Sequence, residues 1–227
     1  MSALLPNALA QAPVQLDAPF SFVLAPKMLD RAESERLRAD FPRYRGAGFF
    51  PHDTADCGPS INALITDLTA SAFADQLGVR IDIERLSQYP VLVTLCRALN
   101  RRHGTIHTDS RSKIATALIY LSEDWPETSD GCLRFLANDH DIDAIVAPEL
   151  RPVYGALAAF KRADNSFHGH LPFEGERPVI QIAWLTDAHE RDRKTRRGRT
   201  SRAIKWLTGR LDRWFGAGRD RSAAHLD

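Results

Sequence analysis

Gly104-Thr105-Ile106-His107-Thr108-Asp109 is followed at once by Ile114-Ala115-Thr116-Ala117-Leu118-Ile119-Tyr120-Leu121-Ser122-Glu123-Asp124-Trp125, and about sixty residues further on by Ser166-Phe167-His168-Gly169-His170. The long middle run is mostly apolar, rich in β-favouring residues and closed by a polar turn containing Pro126, which predicts a strand. Asp130-Gly131 then marks a turn and Cys132 to Leu136 a short strand. Pro148 and Gly155 lead into Ala156 to Phe160, and Val179 to Leu185 forms the last strand behind Glu176-Arg177-Pro178. The order is a strand bearing His-x-Asp, a strand bearing a tyrosine, a turn, a strand, a turn, a strand bearing histidine and a strand bearing arginine.

On extended backbone, residues two apart share a face, so His107 and Asp109 can reach one ion without bending the chain. A distant histidine completes the three ligands of a facial 2-His-1-carboxylate iron site. His-x-Asp is a weak signal by itself in a chain with eight histidines, and the ordered strands around it carry the weight. His168 and His170 lie on one face of an extended segment, so either can supply the third ligand. His103 stands four residues before His107, a ligand spacing on a helix, but Gly104 and the β-branched Thr105-Ile106 oppose a helix there. His52, His140, His189 and His225 have no convergent partner and read as solvent-facing.

From about Leu92 to Asp187 the chain resembles the Fe(II)/2-oxoglutarate-dependent oxygenases, and within them the prolyl 4-hydroxylase-like group. Ala115 to Trp125 with Asp130-Gly131-Cys132-Leu133-Arg134 is similar to the animal oxygen-sensing prolyl hydroxylases, where a Y-L-x-x-D-W segment precedes a Gly-Gly-x-L turn. The resemblance implies a mainly β fold with flanking helices, a double-stranded β-helix or jelly-roll barrel buttressed by N-terminal helices. It implies His107, Asp109 and His168 as iron ligands, and Arg177, nine residues after His168, as partner of the distal carboxylate of 2-oxoglutarate. That spacing favours His168 over His170, leaving His170 as a supporting, substrate-facing or ordinary exposed residue. A planar guanidinium can grip a carboxylate with two parallel hydrogen bonds, and Tyr120 would donate its phenol to the same group. Tyr120 also reads as a strand aromatic filling a barrel interior, which does not exclude that role.

The chain departs from the pattern twice. Arg97 stands where the animal enzymes place a tyrosine near the cosubstrate, and reads as a substrate contact or a surface arginine, the second favoured. Asp130 replaces the first glycine of the usual pair and still makes a good turn. The implied reaction couples decarboxylation of 2-oxoglutarate, with O2, to hydroxylation of an unactivated C–H bond, releasing succinate and CO2, with ascorbate as an optional reductant. Retention of Asp109 favours hydroxylation over the halogenation of relatives that lack the carboxylate. Two other classes stay open: a non-catalytic or 2-oxoglutarate-independent metal-binding barrel, which would keep the triad without needing Arg177, and a binding module acting through the C-terminal tail, which would survive loss of the triad.

The length suits one oxygenase domain, residues 1–189, with a substantial core. The first basic residue is Lys27 and no long apolar stretch occurs, which argues against a signal peptide or spanning helix. Cys57, Cys96 and Cys132 are odd in number and unpatterned, and read as free thiols in a reducing compartment, so a cytoplasmic location is expected. Residues 1–20 read as an arm, Leu29 to Phe41 as a helix ended by Pro42, Arg43 to Pro59 as a loop reaching over the active site, and Ile61 to Leu77 as a second amphipathic helix with Ile61, Leu64, Ile65, Leu68, Ala72 and Phe73 on one stripe.

Charge is divided between the two ends. Residues 190–227 carry twelve Lys/Arg and five Asp/Glu, net +7, leaving the preceding chain at net −6. Arg191 to Arg202 is nearly devoid of apolar residues and reads as a mobile linker. Ile204, Leu207, Leu211, Trp214 and Phe215 then fall at helical spacing among basic residues. Such a helix suits docking on the barrel or a dimer partner, or else peripheral contact with an anionic inner membrane surface. Nucleic acid is not expected, because the acidic body repels phosphates. For the substrate, a small molecule or a glycan or lipid precursor ranks ahead of a protein side chain. Oligomeric state leaves no mark on the sequence.

Overall fold

Along Lys113 to Tyr120, Ala115, Ala117 and Ile119 alternate with Thr116, Leu118 and Tyr120, and the segment is buried almost throughout. A strand buried on both faces needs two partners, one for each parity. The computed structural model describes residues 2–16 and 19–208, with side chains described as far as Gly198. In chain order it contains α1 (Ala8–Gln11), β1 (Val14–Gln15), β2 (Phe22–Ala25), α2 (Ser34–Asp40), β3 (Phe49–Pro51), α3 (Pro59–Thr69), α4 (Ser71–Arg80), β4 (Val91–Leu99), β5 (Lys113–Tyr120), β6 (Arg134–Phe135), β7 (Leu157–Lys161), β8 (His168–Gly169), β9 (Gly175–Leu185) and α5 (Ala188–Thr208).

Seven strands form an antiparallel sheet in the order β1-β2-β7-β5-β9-β4-β3, and β6 pairs with β8 in a short second sheet. One face of the large sheet, including Ala117, Ile119, Ile180, Ile182 and Trp184, packs in one core with Leu64, Leu68 and Leu77 of α3 and α4. The opposite parity, with Leu118, Tyr120 and Val179, packs in a second core with Leu133 and Phe135. This is the mainly β architecture of a double-stranded β-helix with helices against one side, as the resemblance implies.

The structure corrects several local readings. Residues 1–20 are not a bare arm: Leu4 bridges Leu29, and β1 pairs with β2. Arg43 to Pro59 contains an edge strand, β3, paired with β4. The expected single helix from Ile61 to Leu77 is two, because Ala70 is extended (ψ 143°) between α3 and α4. The Thr66 and Thr69 hydroxyls donate to carbonyls one turn back, an arrangement that bends and ends helices. The break turns Phe73, Ala74 and Leu77 inward and leaves Ala72 exposed.

Strand β9 begins at Gly175, before the expected Val179, and includes Pro178. Proline is tolerated because β4 bulges between Cys96 and Ala98 opposite it, so no ladder N–H is required. The expected linker from Arg191 to Arg202 is helical within α5. Asp187 accepts from the Glu190 backbone N–H at 2.9 Å, an N-terminal cap that starts the helix. Lys194 is buried, donating to the Ser110 hydroxyl at 3.1 Å, and Gly198 packs against Pro51. Of the apolar positions expected on the tail helix, Leu211, Trp214 and Phe215 lie outside the described residues. Among the described residues no helix is long and apolar enough to cross a membrane.

Ile182 is 1% exposed in the core between sheet and helices. Ile182→Ala is expected to lower unfolding free energy by about 2–5 kcal/mol, read by chemical denaturation; a change under about 1 kcal/mol would mean that this face is not the tightly packed layer described.

Candidate active site

His107 meets His168 across a single antiparallel bridge, each backbone N–H donating to the other's carbonyl at 3.0 and 2.9 Å. His107 therefore lies on a one-residue bridge rather than within the continuous strand expected, but the bridge brings the two rings to 4.4 Å between centroids. Gly104 (φ +84°) sets the approach, and its would-be Cβ would overlap the His170 imidazole. Donor atoms of His107, Asp109 and His168 all lie within 4.8 Å of one another. Among the described residues this is the group of His, Cys, Asp and Glu side chains so placed.

The imidazoles are oriented for ligation. Nδ1 of His107 faces the Thr105 carbonyl at 2.7 Å and Nδ1 of His168 the Ser166 carbonyl at 2.9 Å. A carbonyl only accepts, so both Nδ1 atoms carry the proton and both Nε2 atoms keep a lone pair. Burial, with His107 alongside, lowers His168 to about 3, so it is neutral at ordinary pH.

Asp109, 2% exposed, is held from both sides. Lys113 Nζ donates to one carboxylate oxygen at 2.8 Å and the Thr116 hydroxyl to the other at 2.5 Å. Burial pushes this carboxyl up, but the Lys113 ammonium, His168 and the two hydrogen bonds outweigh it and hold the group well below its ordinary range. The donor set, two neutral imidazoles and a fixed carboxylate on one side, fits a divalent iron with open positions opposite.

Arg177 lines the same cleft. Its guanidinium is 4% exposed; one Nη donates to the Tyr120 hydroxyl at 3.2 Å, the carbon stands 4.8 Å from the Tyr120 ring centre, and Nε has no partner. Among the described residues no carboxylate pairs with it. A buried cation without a counter-ion is costly, and a bound dianion removes that cost. Tyr120 is fully buried; burial pushes its phenol up and Arg177 opposes the shift, so it remains an O–H donor.

His170 shares the cleft but stands apart from the ligand group, its Nδ1 donating to the Leu171 carbonyl at 2.8 Å. Arg97 turns away to Glu176 at 3.0 Å and is absent from the cleft wall, which favours the surface reading, while Leu99 lines the cleft. His52 is half-buried and bonded to Asn62 at 2.9 Å rather than solvent-facing. His140 and His189 are exposed, and His225 lies outside the described residues. The sequence reading missed Lys113, Thr116 and Gln181. The last two share the parity of Tyr120 and Arg177 on β5 and β9, a signal that period-two counting could have exposed.

Residues 94–186 match the family model described as the 2OG-Fe(II) oxygenase superfamily. The matched segment holds His107, Asp109, Tyr120, His168 and Arg177. The description of that family names Fe(II) and 2-oxoglutarate, and the matched segment is similar to oxygenases of this kind. A prolyl 4-hydroxylase from Pseudomonas putida has a similar fold, with 18% identity, a TM-score of 0.53, and 82% of this chain and 94% of that one covered. A prolyl hydroxylase of Trichoplax adhaerens, in complex with a hypoxia inducible factor peptide fragment, aligns at 16% identity and TM-score 0.48 over 75% and 86% of the two chains. HygX of Streptomyces hygroscopicus, solved with nickel and 2-oxoglutarate, aligns at 14% and 0.49 over 81% and 87%. No curated protein sequence gives a significant match.

Removing the ammonium beside the carboxylate leaves a buried charge uncompensated. Lys113→Met is expected to cost the metal-free protein about 3–5 kcal/mol of stability, measured by denaturant unfolding; an unchanged midpoint would refute the pairing. Acid should also destabilise the protein. His168 and His170 are each lowered to about 3, by burial foremost, from an ordinary 6.5. Between these values the unfolded chain binds protons that the folded chain refuses, so stability present above pH 6.5 is lost as pH falls toward 3. The melting temperature of the metal-free protein should drop over that window, less steeply in His170→Asn; equal slopes would show that His170 does not resist protonation.

Proposed function

We propose that this protein is an Fe(II)- and 2-oxoglutarate-dependent oxygenase that hydroxylates an unactivated C–H bond of a small molecule or of a glycan or lipid precursor, releasing succinate and CO2. In this reading His107, Asp109 and His168 hold Fe(II), and Arg177 with Tyr120 holds the distal carboxylate of 2-oxoglutarate. The observation that carries it is the Arg177 guanidinium, buried without an anion in the cleft that contains the triad. A metal-binding barrel that ignores 2-oxoglutarate would have no use for a cation in that place.

When bound, iron supplies the activation of dioxygen that oxidises both the 2-oxo acid and the substrate. The chain's own part is positioning and exclusion. Thr105 and Ser166 carbonyls fix the imidazole tautomers, Lys113 and Thr116 keep the Asp109 carboxylate ionised and in place, and Arg177 with the Tyr120 O–H presents donors to one end of an elongated dianion. Leu99, Leu118 and Leu133 give that dianion an apolar wall that keeps water out.

Two of the solved structures with a similar fold are named prolyl hydroxylases, so a prolyl substrate is the competing proposal. The shared metal and cosubstrate residues say little about the target. We place the protein in a reducing compartment, a reading supported by Cys57, Cys96 and Cys132, none of which is in a disulfide. Peripheral membrane contact through the basic tail remains part of the proposal, and docking of Lys194 against Ser110 favours a barrel-bound start to α5.

Anaerobic titration with Fe(II) and 2-oxoglutarate tests the assignment through the visible charge-transfer band of a chelated 2-oxo acid. Arg177→Ala should keep iron and bind 2-oxoglutarate about a hundred-fold more weakly, whereas His107→Ala should lose iron and the band. Parent-like 2-oxoglutarate affinity in Arg177→Ala would remove the cosubstrate assignment.

A further inference from the structure

Gln181 is a buried side chain that the proposed site does not use. It sits on β9 four residues beyond Arg177 and on the same face, about 13 Å away at the rise of a strand, and it is 5% exposed while lining the cleft. Across β5 the partners run in order: Tyr120 opposite Val179, Leu118 opposite Gln181, Thr116 opposite Ala183. Tyr120 belongs to the Arg177 end of the cleft and Thr116, bonded to Asp109, to the metal end. Gln181 therefore marks the middle of the wall between them.

Its amide is half satisfied. The Thr94 hydroxyl on β4 donates to the amide oxygen at 3.0 Å and so fixes the side chain's rotation. Among the described residues the amide nitrogen has no hydrogen-bond partner, while Asp109 is already satisfied by Lys113 and Thr116. An N–H2 open to a cleft is a donor waiting for an acceptor. 2-Oxoglutarate is acceptor-only, and the end of it nearer the triad carries the C1 carboxylate and the 2-oxo group.

We propose that Gln181 is a positioning residue for 2-oxoglutarate, its amide N–H donating to the C1 carboxylate and setting that end of the cosubstrate over the metal. The proposal rests on the assignment of Arg177 and the triad given above. Thr94 acts through Gln181 by holding the amide with its nitrogen toward the cleft.

Anaerobic titration of the full chain with Fe(II) and 2-oxoglutarate, following both affinity and the position of the charge-transfer band, tests the assignment. Gln181→Leu is expected to retain iron, to bind 2-oxoglutarate about ten-fold more weakly and to move the band maximum, because a hydrogen bond to the chelating carboxylate changes its donor strength. Thr94→Val should move both readouts in the same direction by less. Gln181→Glu, nearly isosteric but without the donor, should weaken binding at least as much as Gln181→Leu, and serves alone should the leucine variant not fold. A purely structural Gln181 would leave affinity and band unchanged in variants that fold, overturning the proposal. Absence of a band in the parent protein would overturn the cosubstrate reading itself, and with it this inference; a parent band lost in Arg177→Ala but unchanged in Gln181→Leu would overturn the inference alone.

Discussion

Strands β5 and β9 lie side by side in the middle of the seven-stranded sheet, covered by helices on one face and by the short sheet on the other. Parity along these strands decides each side chain's surroundings. Thr116, Leu118 and Tyr120 of β5 and Arg177 and Gln181 of β9 line the cleft, whereas Ala115, Ala117 and Ile119 of β5 and Ile180, Ile182 and Trp184 of β9 enter the core with α3 and α4. A register shift between Lys113 and Ala115 lets Lys113 reach Asp109. A one-residue slip would send Tyr120 and Arg177 into the helical core and bring Ile119 and Ile180 into the cleft. The helices thus contribute to the chemistry indirectly, by making the register costly to change.

Polar groups on the cleft face form a graded series along the same two strands. Thr116 and Lys113 serve the carboxylate of Asp109, Gln181 stands in the middle, and Tyr120 and Arg177 close the far end. Charge follows this order. Asp109 is neutralised by its own lysine, whereas Arg177 has no acidic partner among the described residues. A site built in this way invites a dicationic metal at one end and an elongated dianion across the whole, the combination that the oxygenase family uses.

Much of this was legible in the sequence, and the reasons for what was not are local. The spacing of His107, Asp109, His168 and Arg177 was readable because it is imposed by extended backbone of fixed pitch. Lys113 escaped notice because the reading of β5 began at Ile114, one residue past the ammonium that holds Asp109. The break at Ala70 was hidden by an apolar stripe that runs through it, and it is revealed only by the hydroxyl back-bonds of Thr66 and Thr69. The helical start of α5 was present in the sequence as Asp187-Ala188-His189-Glu190, a capping pattern outweighed in the reading by the charge density of the residues after it.

In the proposed function the buried guanidinium of Arg177 and the His107-Asp109-His168 cluster are two ends of one cosubstrate site. A crystal structure of the protein soaked with Mn(II) and 2-oxoglutarate, with anomalous scattering to place the metal, tests it most directly. The expected result is one anomalous peak within bonding distance of His107, Asp109 and His168, with 2-oxoglutarate chelating it and its distal carboxylate on Arg177 and Tyr120. Metal bound away from the triad, or 2-oxoglutarate bound with neither carboxylate on Arg177, would contradict it.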